Sequence, residues 1–224
     1  MSEKIALIAG ATGLVGRELL DLLLKDRTYS KVKVISRREM KLQSPKLEVI
    51  VEPDFDNLSN HLTSLTAHHI FCCLGTTIKL AGSEEQFIKV DLDYPLALAK
   101  FALGFADFES FHLVTAVGAN ADSPLFYNEI KGQVEKKVKQ LDLNSLYIYQ
   151  PSLLLGQRKD FRLGEELAKA FSSFISFFVI GSRRGRVWAI HSRDVAKAMQ
   201  LSAHVSEKGE HTLLPKHIRK VISA

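Results

Sequence analysis

Ile5-Ala6-Leu7-Ile8-Ala9-Gly10-Ala11-Thr12-Gly13-Leu14-Val15-Gly16 is the stretch on which the fold turns. Its first five residues are continuously apolar, as suits a parallel strand buried on both faces. After the glycines, Val15, Leu19, Leu22 and Leu23 fall on one helical stripe. Gly10, Gly13 and Gly16 therefore lie between a buried strand and an amphipathic helix, the context a dinucleotide fingerprint requires. One glycine allows the tight turn, one lets backbone approach a pyrophosphate, and one lets helix and strand pack closely. The helix start then offers unpaired N–H groups and a partial positive charge to phosphate. The spacing is GxxGxxG rather than GxGxxG.

The same rhythm continues outward. Val32–Ile35, Leu47–Val51, Ile70–Leu74, Phe111–Val114 and Leu146–Tyr149 read as further strands. Residues 58–65, 91–105 and 127–141 read as the helices between them. Such alternation predicts an α/β fold of Rossmann type, a doubly wound parallel sheet with helices on both faces. The 224 residues fit one domain, 1–224. From Pro151 the pattern loosens into helical segments at 162–178 and 192–203, an extended piece at 186–190, and a final strand and helix. Residues 151–224 are read as a small C-terminal cap over the carboxyl ends of the strands, where open α/β sheets hold ligands.

Those carboxyl ends carry the candidate site. The second strand ends Ser36-Arg37-Arg38, with no Asp or Glu to bind ribose hydroxyls. Two guanidiniums stand there instead and suit a 2′-phosphate, so NADPH (NADP) is favoured over NAD. Asp54, after the third strand, is placed to accept from an adenine amino group or to serve as a plain loop acid. Leu74-Gly75 follows the fourth strand, where glycine lets backbone lie against a cofactor.

Tyr127 and Lys131 are four residues apart at the start of a helix, hence on one face. An ammonium beside a phenol favours the phenolate, which fits tyrosine for acid–base work. Thr115 ends the fifth strand, with a hydroxyl suited to orienting a substrate carbonyl. These three are the expected catalytic residues: Tyr127 donates the proton, Lys131 tunes it and holds the nicotinamide ribose, and the cofactor provides hydride.

GATGLVG (10–16), SRR (36–38), CCLGTT (72–77), VTAVGA (114–119), YNEIK (127–131) and QPSLLLG (150–156) together resemble the short-chain dehydrogenase/reductase superfamily. Within it the chain is most similar to the atypical branch that includes the Tat-interacting oxidoreductase family, over about the first 165 residues. The resemblance implies cofactor contacts at Thr12, Gly13, Leu14, Val15, Arg37, Arg38, Leu74, Gly75, Tyr127 and Lys131. It implies others after the sixth strand, at Leu155 and Arg162. Where many relatives have serine, this chain has Thr115-Ala116, which keeps the hydroxyl.

Composition excludes several alternatives. Apolar residues make 46% and charged residues 25% of the chain, as in ordinary globular proteins. No secretory signal precedes the first apolar run. The most apolar later stretch, 170–180, is half the ~20 residues of a membrane span, so no transmembrane segment is expected. Cys72 and Cys73 are adjacent and poorly placed to pair, which suggests a reducing, cytoplasmic setting. The net charge of +5 comes with no nucleic-acid reading module, so nucleic acid is not expected as a partner. His68 and His69 have no partners at metal spacing. Ser192 and Asp194 read as a helix cap and first-turn acid. Trp188 and the phenylalanines of 171–178 fit core packing first, then a substrate pocket or subunit contact, so a homodimer or protein partner stays open.

The function expected is reduction of a small carbonyl substrate. One alternative is an NADPH-binding regulatory or redox-sensing protein. Another is a nucleotide-sugar epimerase-like enzyme, disfavoured because the tail leaves little room for a sugar-nucleotide domain.

Overall fold

The computed structural model describes residues 3–61, 65–156 and 189–223. Seven strands form one parallel sheet: β1 (Lys4–Ala9), β2 (Tyr29–Ser36), β3 (Leu47–Val51), β4 (His69–Cys72), β5 (Ser110–Val114), β6 (Ser145–Tyr149) and β9 (Gly209–Leu213). Their order is β3-β2-β1-β4-β5-β6-β9. The chain moves to one side from β1 and then to the other, so the sheet reverses direction between β1 and β4. A Rossmann-type sheet opens its ligand crevice at that point, beyond the carboxyl ends.

Strand alternation divides the core. Leu7, Ala9, Ile70, Cys72, Phe111 and Ile148 face one layer, built on α4 (Tyr94–Ala102) and α5 (Phe126–Lys139). Ala6, Ile8, Val32, Val34, Phe71 and Tyr149 face the other, built on α1 (Leu14–Lys25), α6 (Ser192–Val205) and α7 (Pro215–Ser223). Because both faces are covered, the strands are apolar along their length rather than alternately apolar.

Several elements differ from expectation. Residues 55–61 form a 3₁₀ helix (Phe55–His61). Two short helices, α2 (Ile78–Ala81) and α3 (Glu84–Ile88), precede the expected helix at 91–105. Thr77 caps α2 by accepting from Leu80 N–H, Gly82 ends it at φ +86°, and Ser83 caps α3 by accepting from Gln86 N–H. A π-helical turn, Lys89–Asp93, then leads into α4, whose first turn carries Pro95. His191, in extended backbone, takes the cap position of α6, so Ser192 is its first helical residue.

The described part of the expected cap is built into the sandwich. The strand β9 extends the sheet beside β6, and α6 lies in the layer of α1. A two-residue pair, β7 (Leu154–Leu155) with β8 (Ile190–His191), stands apart from the main sheet. Arg162, the phenylalanines of 171–178 and Trp188 lie outside the described residues.

Candidate functional site

The glycine turn and the loop after β4 face each other at the reversal point. Cys73 N–H donates to the Ala9 carbonyl, which brings that loop against the turn. Gly10 has φ +84°, and a Cβ there would stand 2.5 Å from the Cys73 carbonyl oxygen. A Cβ on Gly16 would collide with the carbonyl of Gly10, so α1 can lie this close only without a side chain. Gly13 is different: a Cβ there meets nothing nearer than 3.4 Å, leaving room along the turn. Gly13 caps α1, no side chain caps that helix end, and no acid lies in its first turn. Thr12, exposed, Leu14, half-buried, and Val15, buried, complete the turn. Its room and its uncapped N–H groups fit a dinucleotide pyrophosphate.

Lys131 and Tyr127 sit on the first turns of α5. The Lys131 ammonium is buried, 2.6 Å from the buried Asp91 carboxylate. The other Asp91 oxygen accepts from Thr76 N–H at 2.9 Å. A Cβ on Gly75 would stand 3.6 Å from Asp91 and 3.7 Å from Lys131, so the loop after β4 rests on this pair. The ammonium lies 5.9 Å from the centre of the Tyr127 ring. Two of the three expected catalytic residues are thus brought together, with Lys131 beside the loop after β4.

A HTATIP2 protein from Rattus norvegicus is 35% identical over 174 residues, covering 76% of this chain and 71% of its own length. The chain belongs to the HTATIP2 family of atypical short-chain dehydrogenase/reductases. The fmp52 protein of Emericella nidulans is 34% identical over 201 residues, covering 87% of this chain and 84% of itself. Among solved structures, the human epimerase family protein SDR39U1, determined with NADPH, matches 94% of this chain and 73% of its own. Its TM-score is 0.62 at 17% identity, a likeness of fold. No family model matches the chain.

The names of the fungal relatives overturn one expectation. They are called mitochondrial, which corrects the cytoplasmic setting inferred from the cysteines. Two adjacent thiols that cannot pair report only the lack of a disulfide, which is not specific to one compartment. Both thiols are held protonated by burial, Cys72 being pushed up to about 12.

This HTATIP2-family site also corrects two chemical expectations. The Tyr127 phenol has its pKa raised, not lowered: burial outweighs the Lys131 ammonium, and the Asp91 carboxylate adds to burial. Burial works against the charge of Lys131, but Asp91 more than compensates and keeps it an ammonium. The Thr115 hydroxyl donates to Glu135 at 2.5 Å, with a longer approach to the Tyr149 carbonyl at 3.4 Å. It is committed inside the protein rather than presented to a substrate carbonyl. Gln150 donates to both Glu135 oxygens at 2.9 Å. Burial raises the Glu135 pKa, and these hydrogen bonds pull it back.

The remaining candidates surround the crevice. Arg37 and Arg38 are exposed at the end of β2, where Ser36 Oγ accepts from Arg38 N–H. Asp54 is paired with Lys89 at 3.0 Å and accepts from Asp56 N–H, and these contacts hold its carboxyl below the usual range. Part of its accepting capacity is therefore taken. Leu155 is exposed in β7. A methyl group placed on the adjacent Gly156 would stand 3.2 Å from a Leu14 methyl carbon, so this loop passes the start of α1. Asp91 and Glu135 were not singled out from sequence, since a lone acid in a helical stretch carries no signal of its partner. Among the described residues no helix is long and apolar enough to cross a membrane, and no cluster of three metal-ligating side chains occurs.

Proposed function

We propose that this protein is an NADPH-dependent oxidoreductase that reduces a small carbonyl compound. The observation that carries the reading is the closeness of Tyr127 to Lys131, whose ammonium lies beside Gly75 in the loop that meets the glycine turn. Gly10 to Gly16 and the start of α1 hold the pyrophosphate, Arg37 and Arg38 the 2′-phosphate, and Leu74, Gly75 and Leu155 the nicotinamide half. Arg162 joins them by family resemblance. When bound, the nicotinamide supplies the hydride. Tyr127 gives its proton to the substrate oxygen. Lys131 stabilises the phenolate left behind and holds the ribose. Thr115 enters as a positioning residue that fixes Glu135 and the end of β5.

The test is Tyr127→Phe. NADPH affinity should stay within error, while turnover on a responsive aldehyde, ketone or quinone should fall by about 10²- to 10⁴-fold. Undiminished turnover would remove Tyr127 from the mechanism. The commitment of the Thr115 hydroxyl to Glu135 favours a second reading, in which the nucleotide site serves regulation or redox sensing. Absence of NADPH oxidation across a broad carbonyl screen, together with NADPH-dependent binding of a protein, would select it.

A further inference from the structure

The acid that meets Lys131 comes from an unusual element. The π-helical turn Lys89–Asp93 inserts an extra residue into the helical path and carries Asp91 at its centre. The turn is clamped twice: Lys89 bridges to Asp54 at 3.0 Å and Asp56 at 3.3 Å, and Asp91 takes the Thr76 amide. Asp91 is 1% exposed and its pair with Lys131 is sealed from water. Such a pair costs stability unless its geometry is fixed by further hydrogen bonds. Its retention beside Tyr127 calls for a role.

We propose that Asp91 is the positioning residue of this site: it fixes the Lys131 ammonium against Gly75 and cancels its charge before that charge reaches Tyr127. The consequence for reduction rests on Tyr127 being the proton donor; the electrostatic arrangement does not. A donor must begin as a phenol. With the pair intact, the site presents Tyr127 with almost no net charge, and burial keeps its proton in place. Once the proton has gone to a substrate oxygen, the ammonium already stands by the phenolate. The other titratable groups facing this pair are Cys72 on β4, a neutral thiol, and Glu135 one turn along α5, tied to Thr115 and Gln150. Neither replaces Asp91, because neither touches Lys131. Phe87, 5.8 Å from the Tyr127 ring, closes another side with an apolar surface.

The experiment is an NMR titration of the full chain carrying ¹³C-labelled tyrosine, with the Tyr127 resonance assigned through Tyr127→Phe. Asp91→Asn keeps an acceptor for Thr76 and removes the charge. Its Tyr127 midpoint should fall by about one pH unit or more relative to the unsubstituted protein. The double variant Asp91→Asn with Lys131→Gln, neutral again, should return toward the original midpoint. An unchanged midpoint in Asp91→Asn, or a double variant still shifted downward, overturns the proposal. Should Asp91→Asn not fold, the double variant is read alone: a midpoint close to the original supports the proposal, and one moved upward by about one pH unit or more, as loss of an uncancelled ammonium requires, overturns it. The catalytic reading fails separately, if Tyr127→Phe retains turnover while the midpoint moves as stated.

Discussion

Two buried polar clusters lie at opposite ends of the sheet, and they handle charge in opposite ways. At the carboxyl end, Lys131 and Asp91 are sealed in as an ion pair, with one backbone amide as an added partner. Toward the amino end, Tyr29 Oη meets His69 Nδ1 at 2.6 Å and His69 Nε2 meets Glu109 Oε2 at 3.1 Å, the same oxygen that Lys4 reaches at 2.6 Å. A second limb joins Ser110, His112 and Tyr149 at 2.9 and 3.1 Å, and Ser206 bridges the two limbs. Burial drives His69 down to about 4 and His112 further below its ordinary value, so both imidazoles are neutral. One end keeps a paired cation beside Tyr127. The other discharges its buried imidazoles and leaves charge only on the partly exposed Lys4–Glu109 pair. Polar burial as such therefore does not mark a site; a charge retained against burial, facing a crevice, does.

Acid should break this contrast at the amino end first. The folded-state pKa of His69 lies near 4 and the unfolded one near 6.5, so below pH 6.5 the unfolded chain takes the proton first. Stability is full above about pH 6.5 and is lost as the pH falls toward 4, by about 3 kcal/mol from this residue. Denaturant midpoints measured from pH 7 to 4 should show that slope, and His69→Gln should flatten it. A slope unaltered by the substitution would remove His69 as its source.

Thr115 gives a smaller and more pointed effect. Thr115→Val leaves Glu135 without one donor and should cost about 1–3 kcal/mol in chemical denaturation, with Thr115→Ser close to the original. If Thr115 acts through Glu135, turnover of the folded Thr115→Val protein should persist. Loss of turnover comparable to Tyr127→Phe, without loss of stability, would restore the hydroxyl to the substrate.

The legibility of the fold follows the length of its signals. The run from Ile5 through the glycines to Leu23 joins a continuous apolar strand, a spaced glycine set and a 3.6-residue stripe, so β1, the turn and α1 were readable. The helices at 78–88 are short and leave no such stripe, although Ser83-Glu84-Glu85-Gln86 carries the serine-to-glutamine spacing of a capping box. Tyr127 and Lys131 were legible because helical spacing alone places them together. Asp91 was not, because a π-turn and the passage of the chain through α4 and β5 bring it to Lys131. Thr115 follows β5 as expected, yet its hydroxyl turns to an acid twenty residues later in the chain. Burial of the Tyr127 phenol outweighs the lysine, and Asp91 adds to that burial, which is why proximity to lysine gave the wrong sign.

The claim on which the rest depends is that Arg37 and Arg38 read a 2′-phosphate next to the glycine turn. Titration calorimetry of NADPH and NADH into the natural chain and into Arg37→Ala with Arg38→Ala tests it directly. The double substitution should weaken NADPH by about tenfold or more and leave NADH nearly unchanged. Equal losses for both cofactors, or no binding of either by the natural chain, would contradict the account.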